Sequence, residues 1–98
     1  MEEIIMEIIV HSGNARSLSM EAIQAAKAGD FDKSEELLKE ANDSFLSSHQ
    51  VQTGLIQDEI NGKPSAMSLL MVHAQDHLMN AQTVRDLAVE IIELYKNK

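Results

Sequence analysis

Leu69-Leu70-Met71-Val72-His73-Ala74-Gln75-Asp76-His77-Leu78-Met79-Asn80 opens the stretch whose periodicity decides the fold. Leu69, His73, Asp76, Asn80, Thr83 and Leu87 recur at intervals of three and four residues, with Leu94 two turns further on, which is the spacing of one helix face. Two earlier stretches carry the same period. One runs through Ile5, Ile8, Ser12, Ala15, Leu18, Ala22 and Ala26. The other runs through Phe31, Ser34, Leu38, Ala41, Phe45, Ser48, Gln52, Leu55 and Glu59. Period-two alternation is absent, so strands are not expected. Ala28-Gly29-Asp30 reads as a helix stop followed by a new N-cap, and Asn61-Gly62-Lys63-Pro64-Ser65 as a turn. The sequence therefore predicts an all-α chain, a single domain over 1–98 with helices at about 2–28, 31–61 and 65–97, folded up-down-up as an antiparallel three-helix hairpin bundle.

Composition narrows the possible functions. The 98 residues hold 16 Asp+Glu against 8 Lys+Arg, a net charge of −8, which disfavours binding to a phosphate backbone. Phe31, Phe45 and Tyr95 are the only aromatic residues, too few for a base-stacking platform. The chain has no cysteine, hence no disulfide, thiolate nucleophile or Cys-type zinc site. Leu69-Leu70-Met71-Val72 is the longest apolar run, far short of the roughly 18 residues of a membrane span. The opening Met1-Glu2-Glu3 is acidic where a secretory signal would be basic. A soluble, cytoplasmic protein is expected. Helices of this length would run about 40–45 Å each, and Met71, Val72, Leu78, Met79, Val89 and Ile92 lie off the stripe of the third helix. A rod with apolar residues on two faces is expected to bury the second against copies of itself; scattered surface apolars are the alternative.

The stripe of the third helix is apolar at both ends and polar from His73 to Asn80. Burying an imidazole, a carboxylate and an amide costs several kcal/mol unless they pair with one another or bind something. A satisfied network that fixes helix register is one reading, and a site is the other. Matching levels by reflection about the two turns puts His11, His49 and His77 in one layer, with His73 about one turn (roughly 6 Å) away. Histidine changes charge, relays protons or accepts a phosphoryl group near neutral pH. Spacing removes several chemistries. No histidine has Glu three residues before it, as a di-iron carboxylate bundle needs. His73-Ala74-Gln75-Asp76-His77 fits a zinc-protease pattern only with Asp in place of Glu. No Gly-rich loop is present to cradle a nucleotide. A histidine phosphocarrier and a passive oligomeric helical interaction module remain. A two-component histidine phosphotransfer domain usually has Lys where this chain has Asp76.

The block Leu69–Met79, above all His73-Ala74-Gln75-Asp76-His77-Leu78-Met79, resembles the signature of the enzyme IIA component of the lactose/cellobiose (diacetylchitobiose) type sugar phosphotransferase system. Ile9-Val10-His11-Ser12-Gly13-Asn14-Ala15-Arg16-Ser17, Ala26-Lys27-Ala28-Gly29-Asp30-Phe31 and Ser48-His49-Gln50-Val51-Gln52-Thr53 are similar to other parts of that family, with Ser48 in place of an expected Ala. The resemblance implies a homotrimer, nine helices in all. It implies that His73 takes a phosphoryl group from the histidine phosphocarrier protein and passes it to a cysteine of enzyme IIB, for uptake of a β-linked disaccharide. It further implies that Asp76 binds a divalent cation, Mg²⁺ by its chemistry, shared by three copies on the threefold axis. The residue chemistry agrees. A neutral imidazole, with an ordinary pKa of about 6.5, is a competent nucleophile at pH 7. His77 and Gln75 are candidate donors to the phosphoryl oxygens, and three converging carboxylates require a proton or a cation between them. His49, Gln52 and His11 are further candidates to line the site.

Overall fold

The computed structural model describes residues 1–98 and consists of three helices with no strand: α1 (Glu2–Lys27), α2 (Phe31–Ile60) and α3 (Leu69–Lys96). Both turns close in the same way. Gly29 (φ 85°) and Gly62 (φ 82°) follow the ends of α1 and α2 in the left-handed region, which costs glycine little. Beyond them Asp30 N–H donates to the Ala25 carbonyl at 2.9 Å, and Lys63 N–H to that of Asp58 at 2.8 Å. Asp30 then caps α2, its carboxylate accepting from Lys33 N–H at 3.1 Å. The expected start of α3 at 65 is corrected to Leu69. Ser68, in extended backbone, accepts from Met71 N–H at 3.1 Å and nucleates the helix there, so Ser65 to Met67 lengthen the turn after Pro64.

The rod measures 51 × 20 × 17 Å. α1 packs along both neighbours, whereas α2 and α3 meet over a shorter stretch. The inner face of α1 is Ile5, Ile8, Ser12, Ala15, Ser19, Ala22 and Ala26, a strict three-four alternation in which Ser19 takes the place expected for Leu18. On α2 it is Ser34, Leu37, Ala41, Phe45 and Ser48, with Leu37 in place of Leu38 and with Glu59 exposed.

α3 holds the main correction. Its inner face is Met71, Ala74, Leu78, Ala81, Ala88 and Ile92, not the stripe from Leu69 to Leu94. Leu69, Leu87 and Leu94 are 86%, 55% and 71% exposed, and His73, Asp76, Asn80 and Thr83 are exposed with them. The reason is steric. Both faces of α3 have helical period, but only the one with Ala74, Ala81 and Ala88 lets a neighbouring backbone come close. The polar belt therefore lies on the outside of the subunit, and burial inside the subunit imposes no cost on it.

Hydroxyl groups record how near the backbones are. Ser48 Oγ donates to the Ile8 carbonyl at 2.9 Å and lies 2.6 Å from Ser12 Oγ, which must then be the donor of that pair. Ser34 Oγ donates to the Ala22 carbonyl at 2.8 Å. Bonds from a side chain as short as serine to a carbonyl of the neighbouring helix require close packing. At the far end Lys96 Nζ donates to Glu35 at 2.8 Å; this hydrogen bond, then the charge, holds the Glu35 carboxyl below its ordinary range and Lys96 above its own. The clasp is open to solvent and contributes little. It is lost as pH falls through the lowered Glu35 value or rises through the raised Lys96 value.

Ser48→Val should cost about 2–3 kcal/mol in urea unfolding at fixed protein concentration, because it strands the Ser12 hydroxyl and overfills a close seam. Ser17→Val, at an exposed position of α1, should cost under about 1 kcal/mol. Equal losses would contradict close packing at Ser48.

Candidate functional site

About two turns of the outer face of α3, from His73 to Asn80, carry the site. His73 and His77 lie one helical turn apart, which brings their rings together: the two Nε2 atoms are 3.1 Å apart, and the rings meet edge to face with centroids 4.5 Å apart. A contact of that length between two ring nitrogens needs one of them to carry a hydrogen and the other a lone pair. His73 is exposed and His77 half-buried. His73 is thus reachable by a macromolecular partner, while His77 backs it from the side of the bundle.

Gln75 points elsewhere. It is half-buried, accepts from Gln52 Nε2 at 2.8 Å and donates to Met71 Sδ at 3.5 Å. Gln52 and Gln75 tie α2 to α3 at the mouth of a groove of about 230 Å³ that also touches Leu55, Ile56, Met67 and Met71. In the subunit Gln75 is therefore a link between helices, and a donor to a group on His73 only after rotation.

Asp76 is exposed and makes no ion pair. It shares a shallow depression with Arg16, His77, Asn80 and Val84. No group of three or more histidine and acidic side chains converges within one chain to hold a metal ion. Asp76 is the only carboxylate in that depression.

The layer inferred for the histidines agrees with the cross-helix bonds, since Ser12 meets Ser48 and Gln52 meets Gln75. A shared level is not a shared site, however. His49 is exposed and stacks on Phe45, with centroids 5.7 Å apart. His11 lies in a separate surface hollow with Glu2, Glu3, Met6, Glu7 and Val10. Of the seven candidate residues the structure joins His73 to His77 and Gln75 to Gln52, puts Asp76 beside His77, and leaves His49 and His11 apart. Arg16, which sequence reading places in the first-helix block without a role at the site, joins Asp76 and His77 here.

Three helices folded up-down-up, with an exposed histidine backed by a half-buried one, define an all-α, histidine-bearing domain. The family model described as "PTS system, Lactose/Cellobiose specific IIA subunit" matches residues 3–96. The chain is 56% identical over 96 residues to the lichenan-specific phosphotransferase enzyme IIA component of Bacillus subtilis (strain 168), covering 98% of this chain and 87% of that protein. The crystal structure of the cellobiose-specific enzyme IIA of Bacillus anthracis superposes with a TM-score of 0.95 at 48% identity, covering 98% of this chain and 88% of the other. The solution structure of IIA(chitobiose) from the Escherichia coli phosphotransferase system, in complex with HPr, gives 0.84 at 38% identity, covering 98% and 93%. The chain belongs to the lactose/cellobiose-specific IIA family and is a IIA component of a sugar phosphotransferase system.

The His73–His77 contact predicts opposite tautomers. In ¹⁵N-detected imidazole spectra recorded above the imidazole titration range, one ring should carry its proton on Nε2 and the other on Nδ1. Two rings both protonated on Nε2 would contradict the contact.

Proposed function

We propose that this protein is a phosphocarrier whose acceptor is His73. The observation that carries the proposal is the 3.1 Å contact between two ring nitrogens on a solvent-facing turn. It supplies a reachable nucleophile with a hydrogen-bond donor at its side and needs no cofactor. The donor is the histidine phosphocarrier protein, as the HPr complex of the chitobiose relative suggests; the acceptor is a cysteine of enzyme IIB, and the setting is cytoplasmic. The lone pair of His73 Nε2 forms the new bond to phosphorus as the P–N bond of the incoming phosphohistidine breaks. The donor nitrogen leaves with the bonding pair, its ring neutral because its other nitrogen carries a proton. His73 keeps its own proton on Nδ1, so no free proton is released. The Nε2–H of His77, which meets the His73 lone pair at rest, turns to a phosphoryl oxygen afterwards. In the onward step the IIB thiolate attacks the same phosphorus and Nε2 takes back its pair. The sugar, a β-linked disaccharide such as cellobiose, diacetylchitobiose or lactose, never meets this chain.

The working unit is a homotrimer in this proposal. Leu69, Asp76, Asn80, Thr83, Leu87 and Leu94 form a second seam on α3, unpartnered in the subunit, with the spacing by which helices pack on one another, and His73 lies at its edge. Three α3 helices meeting there bring three Asp76 carboxylates together. An exposed carboxylate without an ion-pair partner suits a hard divalent cation, and three of them with waters fit octahedral Mg²⁺. Such a cation supplies charge neutralisation to the axis.

Incubation with enzyme I, HPr and phosphoenolpyruvate should add about 80 Da in acid-labile form, and His73→Ala should add nothing while keeping its helix content. Full acceptance by His73→Ala would overturn the assignment; no gain by the native chain would leave a passive helical module.

For the axis, the native assembly should melt lower in EDTA, because binding a cation only to the trimer stabilises it. Asp76→Leu should melt at least as high as the native chain and be indifferent to EDTA. Equal chelator sensitivity would remove Asp76 as a ligand, and a monomer at micromolar concentration would remove the trimer.

A further inference from the structure

A phosphoryl group on His73 brings nearly two negative charges to a chain that already carries −8. It also sits one turn from the exposed Asp76 carboxylate. A fixed positive charge nearby stabilises such a group, and the chain has few. Lys27, Lys33, Lys39, Lys96 and Lys98 lie towards the end where α1 turns into α2, and Lys63 sits in the opposite turn. Arg85 is already engaged: it donates to Asn42 at 3.2 Å and Asp86 at 2.9 Å, and lies 4.6 Å from the centre of the Phe45 ring.

Arg16 is different. It is exposed, forms no ion pair despite the surplus of carboxylates, and is the only lysine or arginine in the depression lined by Asp76, His77, Asn80 and Val84. Ser12 facing Ser48 and Gln52 facing Gln75 put Arg16 near the level of Thr83. Helical side chains lean towards their own N-terminus. Because α1 and α3 run parallel, that lean carries the guanidinium from Thr83 towards His77, whose ring touches His73.

We infer that Arg16 binds the phosphoryl group carried by His73, its guanidinium donating to the phosphoryl oxygens beside the donor from His77. This rests on His73 being the acceptor. An exposed guanidinium is suited to a carrier. It favours the phosphorylated state enough to draw the group from the donor, yet water screens it enough for the group to move on.

The test is the equilibrium of the phosphoryl group between HPr and this protein, read by ³¹P NMR with enzyme I and phosphoenolpyruvate, beside far-ultraviolet circular dichroism. Arg16→Gln should shift that equilibrium about tenfold towards phospho-HPr, the size of one charge-assisted hydrogen bond (about 1.4 kcal/mol). Arg16→Lys should recover part of the shift, since it keeps the charge and loses the fork. The same tenfold effect in an Asp76→Leu background would support direct contact with the phosphoryl group. An effect that vanishes in that background would overturn it, because Arg16 would then act on the Asp76 carboxylate. An unchanged equilibrium in Arg16→Gln, with the native protein phosphorylated at His73, overturns the inference alone. A native protein that accepts nothing overturns the His73 reading beneath it.

Discussion

The close approach of the three backbones is the constraint from which the other features follow. Ser12, Ala15, Ser19 and Ala22 on α1, Ser34, Ala41 and Ser48 on α2, and Ala74, Ala81 and Ala88 on α3 are all buried. They occupy positions where most bundles put leucine or isoleucine. Small side chains bury little apolar area each, at roughly 25 cal/mol per Å², so this core draws on few large side chains, Ile5, Ile8, Leu37, Phe45, Met71, Leu78 and Ile92. It relies on dense packing and on serine hydroxyls bonded across the seam. No buried polar side-chain atom lacks a partner, which is the condition for such a seam to be tolerated.

A subunit that gives most of its interior positions to alanine and serine leaves many of its bulky residues outside. Sixteen large apolar side chains are exposed, including Leu69, Leu87 and Leu94 on the same face of α3 as His73 and Asp76. The consequence reaches function. In the proposed trimer the helix that holds the copies together is also the helix that carries the proposed acceptor, so assembly and chemistry would share one surface. Access for partner proteins and burial between copies must then divide that surface, with His73 flanking the seam and Asp76 facing the axis in the proposed trimer. Arg16 approaches from α1, on the same subunit, and supplies the positive charge that α3 lacks there.

Much of this was legible in the sequence. Three-four spacing and two glycine-centred turns gave the helix count, and the bounds of α1 and α2 to within a residue. The start of α3 was harder, because Ser65 and Ser68 are both plausible caps and only the fold selects Ser68. The inner face of α3 was misread because two faces of that helix have the same period, and period alone does not say which one a neighbour covers. The heptad of Ala74, Ala81 and Ala88 was the available signal, and it is one of size rather than hydrophobicity. His73 and His77 one turn apart were readable as a pair. The link from Gln52 to Gln75 depends on the angle between α2 and α3, and so does the separation of His49 and His11 from the pair. Arg16 stands in the first-helix block of the resemblance, but its place beside Asp76 and His77 and its lack of an ion-pair partner are visible only in the fold.

Trimer, cation site and acceptor access all depend on whether the outer seam of α3 is an interface between copies that leaves His73 at its edge. Because the native chain has no cysteine, a single nitroxide on Thr83→Cys reports that seam without competing labels. Dipolar spectroscopy at micromolar protein should give short distances between labels, as expected for helix axes about 8–10 Å apart, with the modulation depth of three coupled spins. The same label at Ser17→Cys, exposed on α1, should give longer separations. Absence of dipolar coupling at Thr83→Cys, or coupling stronger at Ser17→Cys, would contradict the account.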